Sequence, residues 1–234
     1  MSKRSSFNSA ASDSAAARQQ ENKHVPKTFS IAALRKAAVD CHACPLYRRA
    51  TQTVFGAGPK HAQLFLVGEQ PGDQEDRQGL PFVGPAGQLL DELLAEAEVD
   101  RSQVYVTNAV KHFKWTASGK RRLHAKPSAR EVAACHPWLA AEIAAVRPAA
   151  IVCLGATAAQ SLLGRAFRVT TERGKIYSYS SEEPASDDTS PRWIVGTYHP
   201  SAVLRSPDRE RRKQMREELA SDLANIARRA AKVS

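Results

Sequence analysis

The sequence predicts an α/β fold: a mostly parallel sheet with helices packed on both faces. Two patterns and one size argument predict it. Four strands are expected, Leu64–Gly68, Val104–Val110, Ala150–Leu154 and Trp193–Thr197, the first a continuous apolar run of the kind buried on both sides. Segments of helical periodicity lie between them, and this alternation builds parallel sheets through crossover helices. The chain has 234 residues and 42% hydrophobic content, enough for one such domain and its tails.

Taken in order, Met1–Ser30 is rich in Ser, Ala, Gln and Lys and has no apolar core, so it reads as a disordered tail and not as a secretory signal. Residues 31–234 then form the single domain. A helix and a metal-binding turn are expected over Ile31–Leu46. The Leu64–Gly68 strand leads into a loop dense in Gly, Pro and Asp, Glu69–Gly87. A helix over Gly87–Ala97 carries Leu89, Leu90, Leu93 and Leu94 on one stripe. The Val104–Val110 strand feeds a basic loop, Lys111–Pro127. Ser128 and Glu131 form the capping box of a helix ending at Val146. The Ala150–Leu154 strand is closed by Gly155, with a short helix after it. Val169–Tyr179 is expected to be an antiparallel pair around Gly174, and Glu182–Arg192 a polar loop. The last strand ends at His199, and Pro207–Ala231 is a charged amphipathic helix. No apolar run approaches the roughly 20 residues of a membrane span.

The net charge is +10, and the tail supplies only five basic residues against two acidic ones. The folded part is therefore basic, which suits a phosphate backbone but also acidic lipids or acidic proteins. Cys41 and Cys44 have the C-x2-C spacing that brings two thiolates to one metal, and Cys135 and Cys153 complete a set of four. A zinc site and an iron–sulfur cubane both fit that pattern. The competing reading is that Cys135 and Cys153 are buried thiols in apolar surroundings.

In open parallel sheets, sites gather at the carboxyl ends of the strands. Three loops meet there. The first, GEQPGDQEDRQGLPFVGPAG from Gly68 to Gly87, places Glu69, Asp73, Glu75 and Asp76 in a constrained turn, with Phe82 able to stack on a planar ring. Solvated acids around a core Phe82 are the alternative. The second carries Asn108, whose amide can read a base edge, then Lys111, His112, Lys114 and the run Lys120–Arg121–Arg122–Leu123–His124. A neutral imidazole beside cations can act as base or nucleophile, while an ordinary solvated basic loop is the alternative for the run. The third, HPSAVLR, sets His199 at the sheet rim with Ser201 beside it, and offers Leu204 as a wedge for a base stack. A capping histidine and an ordinary turn would look the same.

Taken together, Cys41-x2-Cys44, the PFVGPAG of the first loop, Thr107–Lys111 (TNAVK), the Cys135 helix and the terminal HPS resemble the uracil-DNA glycosylase superfamily, and within it the iron–sulfur family 4 enzymes. The resemblance spans roughly Cys41 to Arg205. Family 4 proteins usually have a small residue in place of Gln70 and lack the inserted KRRLH, and these two departures resemble the subgroup called UdgX, whose members become covalently joined to uracil-containing DNA.

The resemblance implies a three-layer α/β/α domain with a four-stranded sheet. It also implies a [4Fe–4S] cluster on Cys41, Cys44, Cys135 and Cys153, the last assigned because no other cysteine is available. It implies a cytoplasmic monomer, nucleoid-associated when bound to single- or double-stranded uracil-containing DNA, with no membrane contact. A flipped uracil would stack on Phe82, be read by Asn108, and meet Gln70 and a main-chain N–H near Gly72. His199 would stabilise the departing uracil anion. His124 would attack C1′, with Glu69 accepting a hydrogen bond from the other ring nitrogen and Asp73 stabilising the sugar cation. Lys120, Arg121, Arg122, Ser201, Leu204 and Arg205 would hold the DNA. Two rivals remain: an ordinary turnover glycosylase, and a non-catalytic iron–sulfur DNA-binding module.

Overall fold

A computed structural model of the chain describes residues 24–179 and 192–232. Most of the expected tail Met1–Ser30 and nearly all of the expected polar loop Glu182–Arg192 lie outside the described residues. Helix α1 (Ile31–Ala38) is capped by the Ser30 hydroxyl and precedes a 3-10 turn at Pro45–Arg48. The sheet strands are β1 (Leu64–Gly68), β2 (Val104–Asn108), β5 (Ala150–Leu154), β6 (Ile176–Tyr179) and β7 (Arg192–Thr197). They lie in the order β2-β1-β5-β7-β6, parallel except for β6.

Side chains alternate across the sheet and so split the apolar runs between two cores. Leu64, Leu66, Val104, Val106, Ala150 and Val152 face helices α3 (Pro85–Glu96) and α8 (Arg209–Ala230). Phe65, Val67, Tyr105, Ile151 and Cys153 face α4 (Ala129–Val146) and α5 (Ala156–Leu163). The architecture is the expected three-layer α/β/α. The capping box of α4 forms as expected, with Ser128 Oγ accepting from Glu131 N at 3.3 Å and Glu131 Oε2 accepting from Ser128 N at 2.6 Å.

Three expectations are corrected. The sheet has five strands, not four. The segment Val169–Tyr179 is not a self-contained antiparallel pair: Val169–Glu172 is a short helix (α6), and β6 pairs with β7 instead. The basic loop Lys111–Pro127 contains a hairpin, β3 (Trp115–Ser118) and β4 (Arg121–His124), whose two-residue turn has Gly119 first at φ 56°. Glycine at that position is what such a turn needs. Within the first loop, Asp73–Gln78 is helical (α2), and a last short helix, α7 (Pro200–Arg205), follows β7.

Candidate active site

The carboxyl ends of β1 and β2 form the floor of the site. Gly68 pairs in register with Asn108. A Cβ on Gly68 would meet Asn108 Oδ1 at 2.3 Å and Phe82 Cζ at 2.7 Å, so only glycine lets amide and ring converge there. Phe82 sits at φ 58°, a left-handed conformation that bulky residues rarely adopt, and it is buried. Its ring lies nearly parallel to that of His199, with centroids 6.0 Å apart. Asn108 is buried, and its main-chain oxygen accepts from Lys111 Nζ at 2.7 Å. Lys111 itself is buried, which removes it from any phosphate-facing role. Its ammonium pairs with Glu142 and donates to Thr107 Oγ1 at 2.6 Å. Glu142 also accepts from Gly56 N, Tyr105 OH and Thr107 Oγ1, so the carboxylate is fully satisfied inside the domain.

His199 is the N-cap of α7. Its Nδ1 accepts from Ser201 N at 3.1 Å and lies 2.8 Å from Ser201 Oγ. With Nδ1 accepting, the neutral ring carries its proton on Nε2, the nitrogen left to face a ligand. Burial pushes its pKa down to about 4, and the positive charge of Arg205 adds to that. His199 is therefore a neutral hydrogen-bond donor across the physiological range. Ser201, expected on DNA, is instead engaged with this ring.

His124, at the end of β4, reaches back over the sheet edge. Its Nε2 stands 3.4 Å from Glu69 Oε1, and the side chain is 45% exposed. Glu69 thus faces Nε2. Desolvation lowers the His124 pKa from its usual value, Glu69 pulls against that shift, and Arg205 adds to it. Glu69 Oε2 in turn accepts from the hydroxyl of Thr157, a residue that sequence reasoning missed.

Three attachments fix the hairpin that carries His124. Gln70, expected to touch uracil, spends its side chain on the hairpin base: Nε2 donates to the carbonyls of Lys114 (3.1 Å) and Ala125 (3.2 Å), and Oε1 accepts from Lys114 N (3.1 Å). Arg122, expected on phosphate, is an internal latch. It donates to Asp73 Oδ1 at 2.5 Å and Asp76 Oδ2 at 2.6 Å, and lies over the rings of Phe113 and Trp115. Trp115 Nε1 donates to the Arg49 carbonyl at 2.9 Å. Asp73, expected to stabilise a sugar cation, is held by Arg77 and Arg122. Partial burial alone would raise its pKa, but these two partners outweigh it and keep it low. The Gly72 N–H, expected to meet uracil, donates to Glu75 Oε2 at 3.0 Å, and Glu75 Oε1 accepts from Gly84 N at 2.8 Å. Alternation along β4 leaves Arg121 and Leu123 outward, with Lys120 exposed at the turn. Leu123 and Leu204 are exposed apolar side chains near the site.

Comparison with known proteins matches the Uracil DNA glycosylase superfamily profile to residues 55–224. The chain belongs to the uracil-DNA glycosylase superfamily. A type-4 uracil-DNA glycosylase of Archaeoglobus fulgidus is 36% identical over 197 residues, covering 80% of this chain and 87% of that protein. Type-4 uracil-DNA glycosylases of Thermotoga maritima (36% over 180 residues, 76% and 85% covered) and Pyrobaculum aerophilum (34% over 195 residues, 82% and 90%) are similar to it as well. Among the described residues no helix is long and apolar enough to cross a membrane.

In this glycosylase-family chain, Cys41, Cys44 and Cys135 share one cluster beneath α1 and α4. Trp138 Nε1 lies 3.1 Å from Cys41 Sγ and Lys111 N 3.2 Å from Cys135 Sγ, both as donors. Such N–H···S bonds favour thiolates and tune clusters. Without a metal, burial pushes the Cys135 thiol up to about 12. Cys153 does not join them. It sits mid-strand in β5, paired with Val67 and Gly196, fully buried in a different cluster between the sheet and α4, where desolvation alone raises its pKa. The four-cysteine ligand set therefore does not fit this fold. Among the described residues, no three His, Cys, Asp or Glu side chains stand at metal-ligand spacing.

Proposed function

We propose that this chain excises uracil from DNA and is then captured through His124 Nε2 on C1′ of the abasic sugar, in a single turnover. The observation that carries this reading is the placement of a half-exposed imidazole, with depressed pKa, against Glu69 and beside His199, on a hairpin anchored at Gln70, Asp73 and Asp76. A loop that merely gripped phosphate would not need its central arginine turned inward.

The flipped uracil stacks on Phe82 and is read by Asn108. His199 Nε2–H donates to the uracil oxygen on which negative charge grows. The C1′–N1 bond breaks, and its electron pair leaves with the uracil anion. The Nε2 lone pair of neutral His124 then forms the C1′–Nε2 bond, and the imidazole takes the positive charge. Glu69, next to that nitrogen, stabilises the sugar cation and then the alkylated ring. With the ring proton on Nδ1, no proton has to leave the ring. Lys120, Arg121, Arg205 and the apolar Leu123 and Leu204 are the groups left to contact DNA.

For the metal centre, we infer three thiolates, Cys41, Cys44 and Cys135, and a fourth ligand other than Cys153. His112 is the side chain best prepared for it. Thr53 Oγ1 donates to the Ala38 carbonyl at 2.9 Å, so His112 Nε2, 2.9 Å from that hydroxyl, must be the donor, and Nδ1 keeps its lone pair. Cys41 N donates to the same carbonyl, at 3.2 Å. An iron–sulfur cluster held there would cross-link α1, the β2–β3 connection and α4.

The test is a denaturing gel of protein with labelled uracil-containing single strand, with and without alkali. A heat- and SDS-stable shifted band that is lost in His124→Ala, while that variant releases uracil and leaves alkali-labile strand, is expected. Free alkali-labile strand from the wild type would leave an ordinary glycosylase. Uncut strand from iron-loaded protein would leave a binding module.

A further inference from the structure

Among the described residues, Glu69 is the carboxylate that faces His124, and its two oxygens are differently engaged. Oε1 stands 3.4 Å from His124 Nε2, while Oε2 accepts the Thr157 hydroxyl proton. Thr157 is buried, at the second position of α5, directly after the β5–Gly155 turn in which Gly155 adopts φ 90°. A threonine hydroxyl has one proton to give, and this one is committed to Glu69. The first turn of α5 also presents the positive end of the helix to the carboxylate. Without the hydroxyl, a glutamate side chain at 22% exposure is free to rotate toward water.

We propose that Thr157 is a positioning residue for capture: it fixes the rotation of Glu69 so that the free oxygen and its negative charge lie beside His124 Nε2, and so directs the sugar cation to imidazole in preference to water. This rests on the reading of His124 as the capturing nucleophile. In the step concerned, the C1′–N1 pair leaves with uracil, the Nε2 pair makes the new bond, and the resulting imidazolium is countered by Glu69, which remains a carboxylate. A Glu69 turned away leaves the cation exposed to solvent, where water attacks and free abasic DNA is released.

The experiment compares wild-type, Thr157→Val and Thr157→Ser proteins, in their metal-loaded form, under single-turnover conditions on a labelled uracil-containing strand. It reads the adduct rate constant, the ratio of adduct to free abasic product, the half-saturating protein concentration, and the pH dependence from 5 to 8. Valine keeps the shape without the hydroxyl, and serine keeps the hydroxyl. For Val we expect adduct formation about tenfold slower, matching a hydrogen bond to a charged group. Free abasic product should rise and half-saturation should hold. The acid limb should move to lower pH, because a Glu69 turned away no longer holds the His124 pKa up against desolvation. Ser should behave as wild type. Val indistinguishable from wild type, or Ser as impaired as Val, overturns the assignment while leaving capture by His124 standing. Wild-type protein that yields only free abasic product overturns the capture reading, and the Thr157 assignment with it.

Discussion

Replacing Arg122 with Met separates a latch from a phosphate grip. The side chain is 14% exposed and pairs with Asp73 and with the fully buried Asp76. Asp73 is 39% exposed, so that pair contributes little. Asp76 keeps Thr51 N (2.9 Å) and Thr51 Oγ1 (2.6 Å), but without the guanidinium it becomes a buried anion lacking its counter-charge. Breaking one partner of a buried pair costs about 3–5 kcal/mol. A lone two-stranded hairpin is marginal by itself, so this loss falls on the attachment of β3–β4. At about 1.4 kcal/mol per factor of ten, even 3 kcal/mol makes hairpin opening roughly 100-fold more frequent. Native-state hydrogen exchange of the cross-strand amides reads that directly. The salt dependence of binding to single-stranded DNA reads the alternative. An arginine on a phosphate contributes about 0.7 to the slope, so Arg121→Met should lower the slope by about that amount and Arg122→Met should leave it unchanged. Unchanged hairpin exchange, with a slope reduced in Arg122→Met, would refute the latch.

Three other outcomes are expected. Gln70→Ala removes three hydrogen bonds from the hairpin base, each worth about 1 kcal/mol, and should speed hairpin exchange by tenfold or more and raise the share of free abasic product in a gel. The adduct rate should fall with acid as His124 protonates. Its pKa lies below the usual 6.5, so the rate should be flat near pH 7 and above and decline only under pH 6.5; a decline centred above that value would contradict a desolvated ring. Lys111→Met strands Glu142 in the core and should cost about 3–5 kcal/mol in denaturant unfolding, much of it recovered by adding Glu142→Gln.

Most of the sheet was legible because burial on both faces leaves a plain mark: Leu64–Gly68 and Ala150–Leu154 match their strands residue for residue. The Ser128–Glu131 box was legible because capping is local chemistry. The hairpin was not, since Lys120–His124 has four charged or ionisable residues in five, and its apolar support, Phe113 and Trp115, lies upstream. Gly119 between two four-residue segments was the signal available. Arg121 and Arg122 are chemically identical in sequence, and only strand alternation sends one to solvent and the other to Asp76. Lys111 looked like part of a basic run because its partner, Glu142, lies 31 positions away. Thr157 carried no mark at all, and Cys153 was assigned by elimination, which a strand interior defeats.

Among the described residues the hairpin pairs only with itself, as a separate two-stranded sheet beside the five-stranded one. If His124 captures the sugar as proposed, what becomes of the product depends on a part that lies outside the central sheet of the α/β/α scaffold. Such a part can be moved between scaffolds only together with its moorings. A recipient given the KRRLH segment alone would display a histidine on a floppy arm. One that also acquired the glutamine at the base and the buried aspartate under the arginine would hold it over the wound in the DNA.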